Sequence, residues 1–146
     1  MKAISPVIAT VIIVAVAIAI SIAVALWLTG IVGGFTTVEN LQITYAYAEK
    51  LDDGRWNITL KVENKGTGTA TIDEIFINNR PHQQARAEVY VNNTNKTGNI
   101  TIPISAGGSE EIIIYLPSTG FSSGQQVEVK LHTASGKEYP KMVTLP

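Results

Sequence analysis

The stretch Ile4 to Val32, ISPVIATVIIVAVAIAISIAVALWLTGIV, decides how the rest of the chain is read. It is the greater part of a window from Ala3 to Val38 that holds no charged residue. An apolar run of about 18 or more residues belongs in a bilayer or in an equally dry protein environment. As an α-helix, about 29 residues at roughly 1.5 Å each extend roughly 44 Å, beyond the roughly 30 Å of hydrocarbon that a simple anchor must cross. Valine and isoleucine are modest helix formers in water, but without water the backbone must pair with itself, and helix wins. Ser5 can cap the first turn, Pro6 stands where a missing N–H costs nothing, and Gly30, Gly33 and Gly34 mark the expected end. Gly30 to Thr37 then reads as a hinge.

Apolar residues cover the whole circumference of this helix, so no face is reserved for solvent. Ala9, Ala15, Ala17, Ala19, Ala23 and Ala25 leave shallow places where a neighbouring helix can approach closely. Two uses are open on these residues alone: a single-span anchor, and a rod that packs against copies of itself. Ala23-Val-Ala25 resembles a secretory cleavage site, but the apolar run before it is too long and Leu26-Trp-Leu28 continues beyond it.

The chain divides into residues 1–36, the hydrophobic helix, and residues 37–146, about 110 residues, a usual single-domain length. Apart from Lys2, every charged side chain falls at or after Glu39. The net charge of −1 argues against electrostatic capture of nucleic acid. The absence of cysteine removes a disulfide framework and thiolate metal sites. Lys2 favours an N-terminus inside and a domain outside. Four N-x-[ST] sequons, at Asn57, Asn92, Asn95 and Asn99, point the same way, three of them crowded between Asn92 and Thr101. An Asn/Thr-rich β protein also makes such triplets freely.

After the helix the pattern changes to period two. Leu41, Ile43, Tyr45 and Tyr47 alternate with smaller or polar residues, predicting one half-buried strand face. The Asp-Gly turn within Leu51–Gly54 leads into a strand with Trp56, Ile58, Leu60 and Val62 on one face, a hairpin. Asn64 to Gly68 is a turn, and Thr69 to Asn78 changes phase around Asp73-Glu74, which predicts a bulge or a change of sheet. Val89 and Val91 give a short strand before an Asn/Thr-rich loop from Asn92 to Asn99. Ile100 to Ile104 is placed at a sheet edge by Pro103. Ile112 to Leu116 lacks clean alternation and reads as buried on both faces. Val127 to Leu131 and Tyr139 to Leu145 close the set. Seven or eight short strands after one long helix predict an α+β chain whose second part is an all-β, immunoglobulin-like sandwich.

Reactive constellations are sparse. His82 and His132 stand 50 positions apart without a ligand pattern around either. Asp52-Asp53 are explained by the turn before Gly54. Gly66-Thr-Gly68 is a fragment of a phosphate loop, but a strand rather than a helix follows it, so a turn is the expectation. The strand aromatics Tyr45, Tyr47, Trp56, Tyr90 and Tyr115 lack interleaved Lys and Arg, unlike a nucleic-acid platform. Neither an enzyme, a cofactor nor a metal site is expected.

The N-terminus Lys2-Ala-Ile-Ser-Pro-Val-Ile-Ala-Thr-Val-Ile-Ile-Val-Ala resembles the start of archaeal type IV pilins, the archaellin-related family with class III signal peptides. Leu60 to Asn78, LKVENKGTGTATIDEIFIN, looks like the β-domain hairpin common in those proteins, while Val127 to Pro146 is more loosely similar. The resemblance implies a homo-oligomeric helical filament, stored in the membrane before assembly and exported by pilus assembly machinery as an adhesive cell-surface fibre. It implies that a prepilin peptidase cuts between Ala3 and Ile4, leaving a leader of only Met1 to Ala3. Helix packing in the filament would involve Ile8, Ala9, Ile12, Ala15, Ala19, Ile22, Ala23, Leu26 and Trp27. Bacterial relatives carry a glutamate at the fifth mature position; Ile8 would occupy it here, so docking would rest on apolar packing. The sequons would carry glycans on the outer wall.

Overall fold

The computed structural model describes residues 5–35 and 37–146. The anticipated cleavage pair Ala3 and Ile4, and Lys2, lie outside the described residues. The first element is α1 (Pro6–Phe35), 30 residues long. Its opening turn is closed by the Ala9 N–H, which donates to the Ser5 carbonyl at 3.0 Å, and Pro6 occupies the first helical position as anticipated.

The expected helix end is corrected. Gly30, Gly33 and Gly34 lie within α1, which continues to Phe35, so the hinge predicted from Gly30 onward is helical over most of its length. A glycine costs a helix only about 1 kcal/mol relative to alanine, and stops one only when a left-handed residue can cap it. Among the described residues the positive-φ glycines are Gly54, Gly107, Gly120, Gly124 and Gly136, all in strand-connecting turns of the second unit.

The second compact unit, Val38–Pro146, is described by itself. Its strands in chain order are β1 (Leu41–Lys50), β2 (Trp56–Asn64), β3 (Ala70–Ile77), β4 (Arg80–Pro81), β5 (Glu88–Val91), β6 (Thr94–Asn95), β7 (Ile102–Ile104), β8 (Ser109–Leu116), β9 (Gln126–Thr133) and β10 (Glu138–Thr144). One sheet runs β1-β2-β8-β5-β6 and the other β10-β9-β3-β4, with β7 paired to the start of β3. Every pairing is antiparallel. The two inner faces make one core, in which Ile58, Leu60, Ile112, Ile114 and Leu116 of the first sheet are sealed with Ile72, Ile75, Ile77 and Leu131 of the second. The α+β expectation, one long apolar helix and then a sandwich, holds.

Two strands exceed the anticipated count, and both are short returns after Asn-Asn turns. Asn78 and Asn79 take φ of 50° and 62°, and Asn92 and Asn93 take 48° and 62°. Positive φ at both central residues is the two-residue hairpin conformation, which asparagine tolerates better than most. The loop expected over Asn92 to Asn99 therefore contains a hairpin, with Val91 paired to Thr94. The bulge foreseen at Asp73-Glu74 is present: the β3–β9 register slips between Ile72 and Glu74.

Two strand readings are corrected. In β1 the register slips between Ile43 and Tyr45, making Thr44 the extra residue. Beyond it the phase inverts, so Ala46 and Ala48 pack on the core while Tyr45 and Tyr47 face out. In β8, Ile112, Ile114 and Leu116 are buried but Ile113 and Tyr115 are only half-buried. The strand does alternate, with neighbouring side chains of β2 and β5 covering its outer residues.

Candidate functional site

The surface of α1 is the first candidate feature. Of the span Pro6–Ile31, none of the most apolar window is buried within the chain. Leu26 is 69% exposed and Trp27 64%, and Ile8, Ile12, Ile22, Ala15, Ala19 and Ala23 are exposed too, with Ala9 half-buried. At about 100° per residue these nine positions share an arc of roughly 140° on one side of the helix. Ala17 and Ala25 project elsewhere. The nine residues thus lie along one face, and none of them is in the sandwich core.

The helix also carries three hydroxyls that the sequence pattern does not distinguish. Thr10 Oγ1 donates to the Pro6 carbonyl, Ser21 Oγ to Ala17 and Thr29 Oγ1 to Ala25, each at 2.7 Å. A hydroxyl folded onto the carbonyl four residues back leaves no unsatisfied donor, the condition for lying in hydrocarbon.

The second feature is the segment Val38–Asn40, where the chain enters the sandwich. On one side it is paired to the Asn64–Gly68 turn. The Thr67 N–H donates to Val38 O at 2.8 Å and the Lys65 N–H to Asn40 O at 2.7 Å, while Thr67 Oγ1 accepts from the Val38 N–H at 2.9 Å. Gly66 lies under this crossing; a Cβ there would overlap the Val38 carbonyl and stand 2.8 Å from Asn40 N. The Gly66-Thr-Gly68 fragment is thus a site of close backbone approach, in keeping with the turn reading. Asn64, fully buried, holds the turn from beneath. Its Nδ2 donates to Gly68 O at 2.7 Å and Ile104 O at 2.8 Å, and its Oδ1 accepts from the Gly66 N–H at 2.9 Å.

On the other side Glu39 is gripped by the β9–β10 turn. Thr133 Oγ1 donates to Oε1 at 2.6 Å, Ser135 Oγ to Oε2 at 2.6 Å and Tyr139 Oη to Oε1 at 3.2 Å, while Lys137 Nζ donates to Glu39 O at 2.7 Å. Partial burial pushes the carboxyl up, but the hydroxyls of Ser135, Thr133 and Tyr139 and the Lys137 ammonium outweigh it and hold Glu39 below the usual glutamate range. Val38–Asn40, the segment that follows α1 in sequence, is therefore clamped between the β2–β3 turn and the β9–β10 turn.

The outward face of the first sheet collects four of the five tyrosines. Register aligns Tyr47, Thr59, Ile113, Tyr90 and Asn95 in one row, and Glu49, Asn57, Tyr115 and Glu88 in the next. Tyr45 stacks on Tyr47 with ring centres 6.0 Å apart, and Tyr90 meets Tyr115 edge-on at 5.4 Å. Tyr45 Oη donates to Glu111 at 3.0 Å, and that bond holds its phenol above the usual range.

The sequons fall in two environments. Asn92, Asn95 and Asn99 are exposed on turns or on the two-residue strand β6. Asn95 Oδ1 accepts from the Thr97 N–H at 2.8 Å and its Nδ2 reaches Tyr90 Oη at 3.3 Å. Asn57 lies within β2, flanked by β1 and β8, with its Oδ1 buried.

The histidines are each engaged separately. His82 is 2% exposed, with Nδ1 2.5 Å from Glu74 Oε1 and Nε2 2.9 Å from Thr97 O. His132 lies 2.6 Å from Asp73 and edge-on to Phe76. Asp53 forms the turn expected of it, binding Arg55 at 2.7 Å. Among the described residues no three His, Cys, Asp or Glu side chains converge as metal ligands would.

No protein-family model and no curated protein matches the sequence. Among solved structures, the chain is similar to the archaellum periplasmic stator protein FlaG from Sulfolobus acidocaldarius. That match has 18% identity and a TM-score of 0.42, over 72% of this chain and 99% of that one. It is similar to the Iho670 flagellar-like filament at 14% identity and a TM-score of 0.42, over 97% and 98% of the two chains. A lipoprotein from Bacteroides thetaiotaomicron matches at 11% identity and a TM-score of 0.38, over 74% and 78%.

Proposed function

We propose that this chain is the structural subunit of an extracellular, type IV pilin-like filament, polymerising through α1 and displaying the sandwich on the outside as an adhesive surface. The observation that carries the reading is a 30-residue apolar helix, unburied over its most apolar window, followed in sequence by a domain that already has its own closed core. Something outside the chain must cover that helix. At about 45 Å it exceeds the roughly 30 Å that an anchor needs, and Ala9, Ala15, Ala19 and Ala23, four of its six alanines, lie on the same side as Ile8, Ile12, Ile22, Leu26 and Trp27. Before assembly the rod rests in the membrane with the sandwich outside; transfer into a bundle exchanges one apolar setting for another. Close packing at Ala9, Ala15, Ala19 and Ala23 then supplies the preference for the bundle.

Processing by a prepilin peptidase between Ala3 and Ile4, engagement with pilus assembly machinery, and glycans on the exposed sequons belong to the same proposal. The test is electron microscopy of sheared cell-surface material, with mass spectrometry of its N-terminal peptide. Thin filaments containing this chain and a peptide beginning at Ile4 are expected. Retention of all of the protein in the membrane fraction would leave a non-polymerising anchored domain in its place. An archaellum filament subunit is the alternative, and loss of swimming on deletion of the chain would identify it.

A further inference from the structure

Outside the rod and the clamp, the most distinctive chemistry lies at the end of the sandwich where the turn from Pro81 to Ala87 meets the loop after β8. A cleft of about 510 Å³ opens there, lined among others by Asn78, Arg80, Gln84, Arg86, Thr119 and Phe121. That volume lies in the usual range for ligand sites. Among the described residues no carboxylate lines it. The chain has three arginines. Arg55 is engaged, with Asp53 at 2.7 Å and the Tyr115 ring at 5.5 Å. The other two both line this cleft, and neither has an ion pair among the described residues.

The backbone supplies an independent observation. Arg86 takes φ of 54°, in the left-handed region that side chains other than Asn and Asp seldom occupy. The turn is held there by the Arg86 N–H donating to Gln83 O at 3.1 Å and the Ala87 N–H donating to His82 O at 2.9 Å. Among the described residues, asparagine serves at the four other non-glycine positions of this kind, and arginine stands only here. Strain retained beneath a guanidinium that no side chain neutralises points to a use for that guanidinium.

We propose that this cleft binds an acidic saccharide through its carboxylate, with Arg80 and Arg86 as the cationic receptors. A guanidinium presents paired N–H donors that match a planar carboxylate. Gln84 and Thr119 each offer both a donor and an acceptor, as vicinal sugar hydroxyls require. Asn78 Oδ1 already accepts from the Glu128 N–H at 2.9 Å, which leaves its amide donors to a ligand. Phe121, partly packed on the core, gives an apolar wall for a sugar face. An acidic peptide would satisfy the arginines but leave this mixed neutral lining without matched hydroxyls.

The test uses the full chain in neutral detergent micelles, titrated with sodium glucuronate and followed by the arginine Nε–H and backbone amide NMR signals. Saturable shifts of Arg80, Arg86 and Phe121 are expected, with glucose, sodium acetate and an aspartate-containing tetrapeptide each at least tenfold weaker. Arg80→Gln and Arg86→Asn should each weaken glucuronate at least tenfold, and Arg55→Gln should leave it unchanged. Arg86→Asn relieves the backbone strain, so it should raise the melting temperature while removing binding, which separates ligand recognition from folding. Glucuronate shifts no greater than those from acetate or sodium chloride would overturn the proposal. So would equal affinity for the peptide, preference for glucose 6-sulfate, or full binding by Arg86→Asn. None of these outcomes depends on whether the chain polymerises.

Discussion

Gly66 lies directly beneath the carbonyl of Val38, with no room for a β-carbon between them. The contact joins the entry segment of the sandwich to the turn after β2 by backbone alone, so neither chain can shift without breaking the Thr67–Val38 and Lys65–Asn40 hydrogen bonds. Gly66→Ala is expected to destabilise the domain by about 2–4 kcal/mol, because backbone rather than a flexible side chain must yield. Gly98, where a Cβ would meet nothing within 4 Å, is the matched control. Gly98→Ala should change the melting temperature little; equal effects at the two positions would remove the close-approach argument.

Asn64 makes three side-chain hydrogen bonds from a fully buried position. Asn64→Asp keeps the shape but loses both donors and sets a carboxylate against the Gly68 and Ile104 carbonyls. Denaturant unfolding should show a loss of about 3 kcal/mol or more, exceeding that of Asn64→Ala. A smaller loss for the aspartate would show that the amide donors matter little.

The Glu39 carboxyl titrates lower folded than unfolded, so it favours the folded state at pH values above its unfolded value. That contribution disappears as pH falls through the folded value. Comparing the native chain with Glu39→Gln over a pH series should give a gap of about 1 kcal/mol at neutral pH, allowing for partial exposure, that closes in acid. A gap that persists unchanged below the carboxylate range would assign the effect to shape rather than charge.

If α1 packs through one face, bulk should be tolerated unequally around it. Ala19→Leu and Ala23→Leu are expected to leave membrane insertion intact and to reduce filament yield several-fold, whereas Ala17→Leu, about half a turn away, should assemble normally. Filament counts in sheared fractions, normalised to membrane protein, measure this; indifference at all three positions counts against face-specific packing.

Glycopeptide mapping should find modification at Asn92, Asn95 or Asn99 and none at Asn57. The first three are exposed, whereas Asn57 stands in a strand paired on both edges. A glycan at Asn57 would require attachment before β2 is enclosed.

What was legible from sequence followed local pattern. The rod, the Asp-Gly hairpin and the bulge at Asp73-Glu74 depend on residues within a few positions of each other. The faces of β1 are not legible locally, because Thr44 looks like any alternating polar residue, and only its partner strand reveals it as surplus. The two Asn-Asn turns carried a usable signal, since asparagine is among the few residues that accept positive φ. Glu39 carried none: its partners Thr133 and Tyr139 are 94 and 100 positions away. The cleft arginines were equally silent, because an unpaired guanidinium is defined by side chains that are absent from its surroundings.

Thr10, Ser21 and Thr29 have a mechanical consequence. Each hydroxyl is bonded to its own helix, so neighbouring rods would have no interhelical hydrogen bonds from these groups to rupture when they slide. Resistance would come from the fit of branched side chains over alanine hollows, which can disengage and re-engage further along. A bundle built this way would creep under tension and recover its length on release, which stretching a single fibre with an optical trap would record as a retraceable plateau rather than a break.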